Sequence, residues 1–240
     1  MRPRGVGSAA NANQKSVLLD AFEQLEQVVK QRERSGEPYG QVRAAEQMIQ
    51  RWLVVFAREH LADICAKLLQ AAADAAMREM RPPTQLQLPK KGDQPEPTAE
   101  PRDESTVFFL METLRKVLSA AADGSGGALH QVSRHTPLPD GLLAFCFERV
   151  DLVNPTAVRH VGAHCVGLLS RSMLKACVDM FLHKMEKMSW TRSDEQRAYV
   201  AYARAAGGLA LSVHSAEQAA SSTRYLAALA QAIDKFEAQP

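Results

Sequence analysis

Apolar residues recur at spacings of three and four along almost the whole chain, with charged and amide residues between them, a pattern of amphipathic helices rather than strands. The first stripe runs through Val17, Leu18, Phe22, Leu25, Val28 and Val29. It predicts a helix from Ser16, as N-cap, to Arg34, stopped by the turn from Gly36 to Pro38. A second and a third helix are expected from Tyr39 to Met80, divided near Arg58 to His60, with Trp52, Val55, Phe56, Leu61, Ile64, Leu68 and Leu69 as their apolar residues. The next spans Glu104 to Ala122 and presents Val107, Phe108, Leu110, Met111, Leu114, Val117 and Leu118, with Gly124 to Gly127 as its stop; a shorter one covers Leu142 to Val150. Asn154 and Pro155 read as the cap and first-turn pair of a helix ending near Arg171, with Val158, Val161, Cys165, Leu168 and Leu169 on its stripe. Ser172 then reopens a helix to Met188. Two later starts show serine with glutamine three positions on, Ser193 to Gln196 and Ser215 to Gln218, each before an alanine-rich stretch.

This order predicts an all-α fold of roughly eight or nine helices, arranged as antiparallel helical pairs stacked as a HEAT/armadillo-like α-solenoid. Residues 1–14 are expected to be a flexible N-terminus and 15–80 the N-terminal helices. Residues 81–103, with Pro82, Pro83, Pro89, Pro95, Pro97 and Pro101 and no apolar period, read as a proline-rich linker, and 104–238 as a helical-repeat-like domain.

The chain has 240 residues, 46% of them hydrophobic, enough to bury a sizeable core. Its formal net charge is +2, with both signs mixed along the sequence, so no basic face for a nucleic-acid backbone is implied. No uninterrupted apolar segment is long enough to span a bilayer, and Met1 to Gln14 lacks the apolar stretch of a secretory signal. Cys65, Cys146, Cys165 and Cys177 show no metal-ligand pairing and read as reduced thiols packed as small hydrophobes, which points to the cytoplasm.

His160 and His164 lie four apart on one helix, so two imidazoles share a direction, as a metal pair requires. No glutamate sits inside the pair and no third ligand is identifiable, so they read as marginal to the apolar stripe, and no bound metal is expected. His130 and His135 flank a loop. The Gly124 to Gly127 run lacks the lysine and hydroxyl residue of a phosphate loop. Cys165 and Cys177 sit on apolar stripes, which suits packing rather than nucleophilic attack. Glu23, Glu26, Asp194 and Glu195 fall beside lysines or arginines as solvated helix charges. Met173, Met180, Met185 and Met188, with Leu174, Val178 and Phe181, form a methionine-rich stripe suited to a core and, secondarily, to a groove for a partner helix. The reading is therefore a non-enzymatic scaffold or protein-interaction module with no catalytic, cofactor-binding or metal residues. Its alternative is a small helical metal-dependent hydrolase using His160 and His164.

Several stretches resemble, in order, the N-terminal region of the Furry family of cell-morphogenesis proteins. Ser16 to Leu25 is similar to that family's first helix, Val107 to Leu118 to its next characteristic apolar helix, and Leu143 to Phe147 to a Leu-Ala-Phe segment. The longest similarity runs from Asn154 to Met188, through Val166 to Leu169, Cys177, Phe181 and Leu182, and Ser215 to Phe236 looks like the helix that follows. The family usually has aromatics near Gly162 and at Leu174, and the segment 81–103 has no counterpart in it. The resemblance implies a role in cell morphogenesis and polarity as scaffold for a nuclear Dbf2-related kinase with its Mob coactivator and for microtubule-associated factors, with a cytoplasmic, cytoskeletal or cortical location.

Overall fold

The computed structural model describes residues 7–33, 39–79, 105–123, 137–151 and 154–187, with isolated residues 223, 224, 227 and 230. Five helices make up nearly all of this: α1 (Gly7–Glu33), α2 (Tyr39–Glu79), α3 (Thr106–Asp123), α4 (Leu142–Arg149) and α5 (Thr156–Lys187). Among the described residues the fold is all-helical, without strands. The linker 81–103, the stop at Gly124 to Gly127 and the serine starts at Ser193 and Ser215 lie outside the described residues.

Two of these helices are broken at one residue each. In α2 the break is His60 (φ −128°, ψ 30°), and in α5 it is Met173 (φ −128°, ψ 37°). Both fall where the sequence divides its helices, and both reverse the chain. Arg32 pairs with Glu46 and donates to the Ser105 carbonyl at 3.2 Å, while the Val107 amide donates to the Glu79 carboxylate at 3.3 Å. Glu46 and Glu79 thus converge on the start of α3, whereas a straight helix between them would be about 50 Å long at 1.5 Å per residue. The same logic applies to α5. Lys184 donates to Asp151 at 2.5 Å and to the Phe147 carbonyl at 3.4 Å, just ahead of the helix start, although a straight α5 would carry it about 40 Å away. Each long helix is therefore a helical hairpin folded at a single residue.

Local chemistry explains the breaks. At His60 the polar run Arg58-Glu59-His60 interrupts the apolar stripe, and Asp63, 3.9 Å from the imidazole, sits in the first turn of the new half, where a carboxylate meets the positive end of the helix dipole. At Met173, the Ser172 hydroxyl donates to the Leu169 carbonyl at 3.1 Å, one of the carbonyls that the ending helix leaves open, and just before it the Ser170 hydroxyl bonds back to the Gly167 carbonyl at 2.6 Å, a contact that bends a helix. Ser172 thus closes the first half of α5 rather than capping the second.

Other ends differ from the sequence reading. Helix α1 already includes Gly7–Lys15, upstream of Ser16, where Ala9, Ala10 and Gln14 suit a helix without an apolar stripe. Ser105 caps α3, its hydroxyl accepting the Phe108 amide at 3.1 Å. Asn154 turns back to the preceding helix, its side-chain Nδ2 donating to the Glu148 carbonyl at 2.8 Å, and the Pro155 carbonyl accepts the first α5 bond, from Arg159, at 3.0 Å.

One hydrophobic cluster runs through all five helices, from Leu18 to Phe181. Helix α2 packs most extensively on α3, α3 on α5, α4 on α5 and α1 on α2, so the segments on either side of 81–103 share a core. The stripes expected of α1, α3 and α5 are largely the buried ones. In the first half of α2 the buried face is instead Val42, Ile49, Leu53 and Ala57, leaving Val55 73% and Trp52 38% exposed. Helix α4 lies so close over α5 that a Cβ added at Gly162 would stand 3.1 Å from the Arg149 Cβ and 3.2 Å from the Cys146 carbonyl oxygen. Alanine normally stabilises a helix interior relative to glycine by about 1 kcal/mol. Here the crowded neighbours are α4 backbone and Cβ, so Gly162→Ala should reverse the sign and destabilise by about 1–3 kcal/mol in urea unfolding.

Candidate interaction surface

The residues that sequence reasoning weighs for chemistry occupy three environments. All four cysteines are free and buried. Burial pushes the Cys65 and Cys177 thiols far above the ordinary value, and does the same for Cys165, where a hydrogen bond with Cys146 adds to it. A protonated, enclosed thiol is neither a nucleophile nor a metal ligand. On α5, His164 is exposed and His160 half-buried, whereas Cys165 turns inward, its thiol 3.8 Å from the Met111 carbonyl. The structure does not bring the three together, and no group of three or more His, Cys, Asp or Glu side chains suited to a metal occurs among the described residues. Changing His160 and His164 together to alanine should leave helical content intact and shift stability by no more than about 1 kcal/mol, a range typical of surface substitutions, as circular dichroism and urea titration would record.

His130, His135, Asp194, Glu195 and Met188 lie outside the described residues, as does the side chain of Met185. Met173 and Met180 are half-buried against the core, while Leu174, Val178 and Phe181 are buried, so this part of the methionine stripe is packing. Glu23 and Glu26 are solvated charges on α1, and the Glu26 carboxyl is held below its ordinary value by a hydrogen bond from Lys67.

What the sequence does not announce is a pair of grooves on opposite halves of α2. The first, about 500 Å³, follows the seam of α1 with the second half of α2, between Leu18, Leu19 and Phe22 on one wall and His60, Asp63 and Lys67 on the other. Leu19 is 61% exposed on its rim, and the His60 Nε2 is enclosed there without a hydrogen-bond partner among the described residues. The seam continues past Glu26 and Lys30 toward Arg78.

The second groove, about 660 Å³, lies between the first half of α2 and the end of α3. Its lining comprises Gln47, Gln50, Arg51, Val54, Arg115, Lys116, Ser119 and Ala120, three cations and no carboxylate. A polar chain fixes its floor. Lys116 donates to the Gln50 side-chain Oε1 at 2.6 Å, the Gln50 Nε2 donates to the Thr113 hydroxyl at 3.1 Å, and that hydroxyl donates to the Phe109 backbone carbonyl at 2.8 Å. Gln50 and Thr113 are buried, so each hydrogen bond answers a polar group that would otherwise be costly to enclose. Arg115 forms a two-point pair with Glu112 at 2.6 and 2.7 Å. In the sequence Arg51 on one helix and Arg115 and Lys116 on another are ordinary helix charges, and only the position of α3 against α2 turns them into a concave surface.

No helix among the described residues is long and apolar enough to cross a membrane. No protein-family model, curated protein or solved structure matches the chain.

Proposed function

We propose that this chain is a non-enzymatic helical interaction module, which acts by presenting grooves between antiparallel helix pairs to other proteins. The observation that carries this reading is the placement of large exposed apolar residues, Leu19 on one side and Trp52 and Val55 on the other, beside concave seams of a packed helical frame. Isolated apolar residues on a surface are ordinary, whereas apolar residues bordering grooves are what a partner helix uses as anchors. The two helical hairpins support a stacking of pairs of the HEAT/armadillo-like α-solenoid kind. With the resemblance to the Furry family, the partner would be a nuclear Dbf2-related kinase with its Mob coactivator, and the setting the cytoskeleton or cell cortex.

The test is affinity purification of the tagged full chain followed by mass spectrometry, paired with metal analysis of the purified protein. Stoichiometric recovery of a kinase of this class with Mob, and no tightly held metal, is the expected result. Stoichiometric zinc that disappears in the His160→Ala/His164→Ala variant together with a hydrolytic activity would overturn the module reading.

A further inference from the structure

We infer that the groove between α2 and α3 is a docking site for an acidic, amphipathic segment of a partner protein, with its carboxylates on Arg51 and the α3 cations and its apolar side on Trp52 and Val55. This rests on the interaction-module reading and adds the chemistry of the partner.

Charge is the first argument. A chain with a net charge of only +2 places Arg51, Arg115 and Lys116 around one groove whose lining includes no acidic side chain. Glu112 offsets part of this, pairing with Arg115 at 2.6 Å and standing 3.9 Å from Lys116. The local excess remains positive, and cations held close together in a concave site attract and orient an anionic partner more than scattered ones do.

Geometry is the second. On α2, Gln47, Gln50, Arg51 and Val54 share the groove side at helical spacing, and Arg51 forms the lip. Immediately across that lip lie Met48, Trp52 and Val55, which are 41%, 38% and 73% exposed. A helix laid over the lip would meet cations on one side and a tryptophan-centred apolar strip on the other, and tryptophan and arginine are the residues that most often dominate binding energy. The floor is already fixed by the chain from Lys116 to Gln50 to Thr113, so little ordering of the receptor opposes binding. A nucleic acid would use the cations but would leave Met48 and Val55 without a role, so a peptide is the better fit.

The experiment uses the full-length chain and fluorescein-labelled amphipathic peptides with a leucine face and a glutamate face, against the same peptides with lysine for glutamate. Anisotropy should show binding of the acidic set only, weakened by salt, and weakened by about tenfold or more in Arg51→Glu and in Trp52→Ala. Both side chains are exposed, so folding is preserved and circular dichroism checks it; Lys30→Glu, on the other seam, should change nothing. Equal binding of both peptide sets, no binding of the acidic set, unchanged affinity in Arg51→Glu, or equally tight Arg51-dependent binding of a single-stranded oligonucleotide would each overturn the proposal. So would an Arg51-dependent dimer of the chain itself in sedimentation. Should the partner recovered by affinity purification be retained by Arg51→Glu and Trp52→Ala, the docking site is wrong while the module reading stands; should no partner be recovered, the module reading itself fails.

Discussion

Phe181→Ala should lower the unfolding free energy by about 3–5 kcal/mol, from the lost transfer energy of a fully buried ring and the cavity left behind. Phe181 sits on the return half of α5, one turn before the Lys184 that reaches Asp151, and belongs to the cluster shared by all five helices. Its removal therefore opens the place where the folded-back half meets the rest of the core. For a domain whose net stability is typically about 5–15 kcal/mol, such a loss is a large fraction of the whole. Urea unfolding followed by circular dichroism should show the midpoint falling with little change in slope, and Phe181→Leu should cost under about 1.5 kcal/mol. A cost near zero for the alanine variant would sink the packing described for α5.

Arg32→Ala is the other change with a large expected effect. The Arg32 side chain is 7% exposed and that of its partner Glu46 is 13% exposed. The guanidinium also lies 5.2 Å from the centroid of the Phe109 ring and donates to the Ser105 carbonyl, so one side chain ties α1 to α2 and to the start of α3. Deleting it leaves Glu46 enclosed without its counter-charge, a situation that costs about 3–5 kcal/mol in buried pairs. Replacing both partners by methionine should cost clearly less than Arg32→Ala alone, because no charge is then stranded. A double variant as unstable as the single one would show that the packing of the side chains, rather than the pairing of the charges, holds this corner.

Where the fold was legible in the sequence, a simple stripe was the reason. Val107, Leu110, Met111, Leu114, Val117 and Leu118 repeat at helical spacing and are all buried. The divisions near His60 and at the Arg171–Ser172 boundary were visible as interruptions of such stripes, yet periodicity cannot say that the chain reverses there. That depends on Arg32, Glu79 and Lys184 finding partners far away in sequence. Trp52 and Val55 misled for a physical reason: large apolar residues draw the stripe toward themselves, whereas the close packing of this half of α2 is carried by Ile49, Leu53 and the small Ala57. The basic groove was hidden for a similar reason, since two helices separated by the segment 81–103 each show ordinary solvated charges and only their juxtaposition makes a surface.

The burial of Cys65, Cys146, Cys165 and Cys177 makes the protein its own reporter of opening events. Thiols on α2, α4 and both halves of α5 can be alkylated only when the helix carrying them leaves its neighbours, so the rate at which a maleimide or disulfide reagent marks each cysteine measures the opening of that helix in the native ensemble. Labels that appear on all four at one rate would describe a structure that opens as a single cooperative body. Labels that reach Cys177 ahead of Cys65 would describe an α5 hairpin that detaches while the α2 hairpin and α3 hold, a staged release with clear consequences for how a groove on that frame survives mechanical or thermal load.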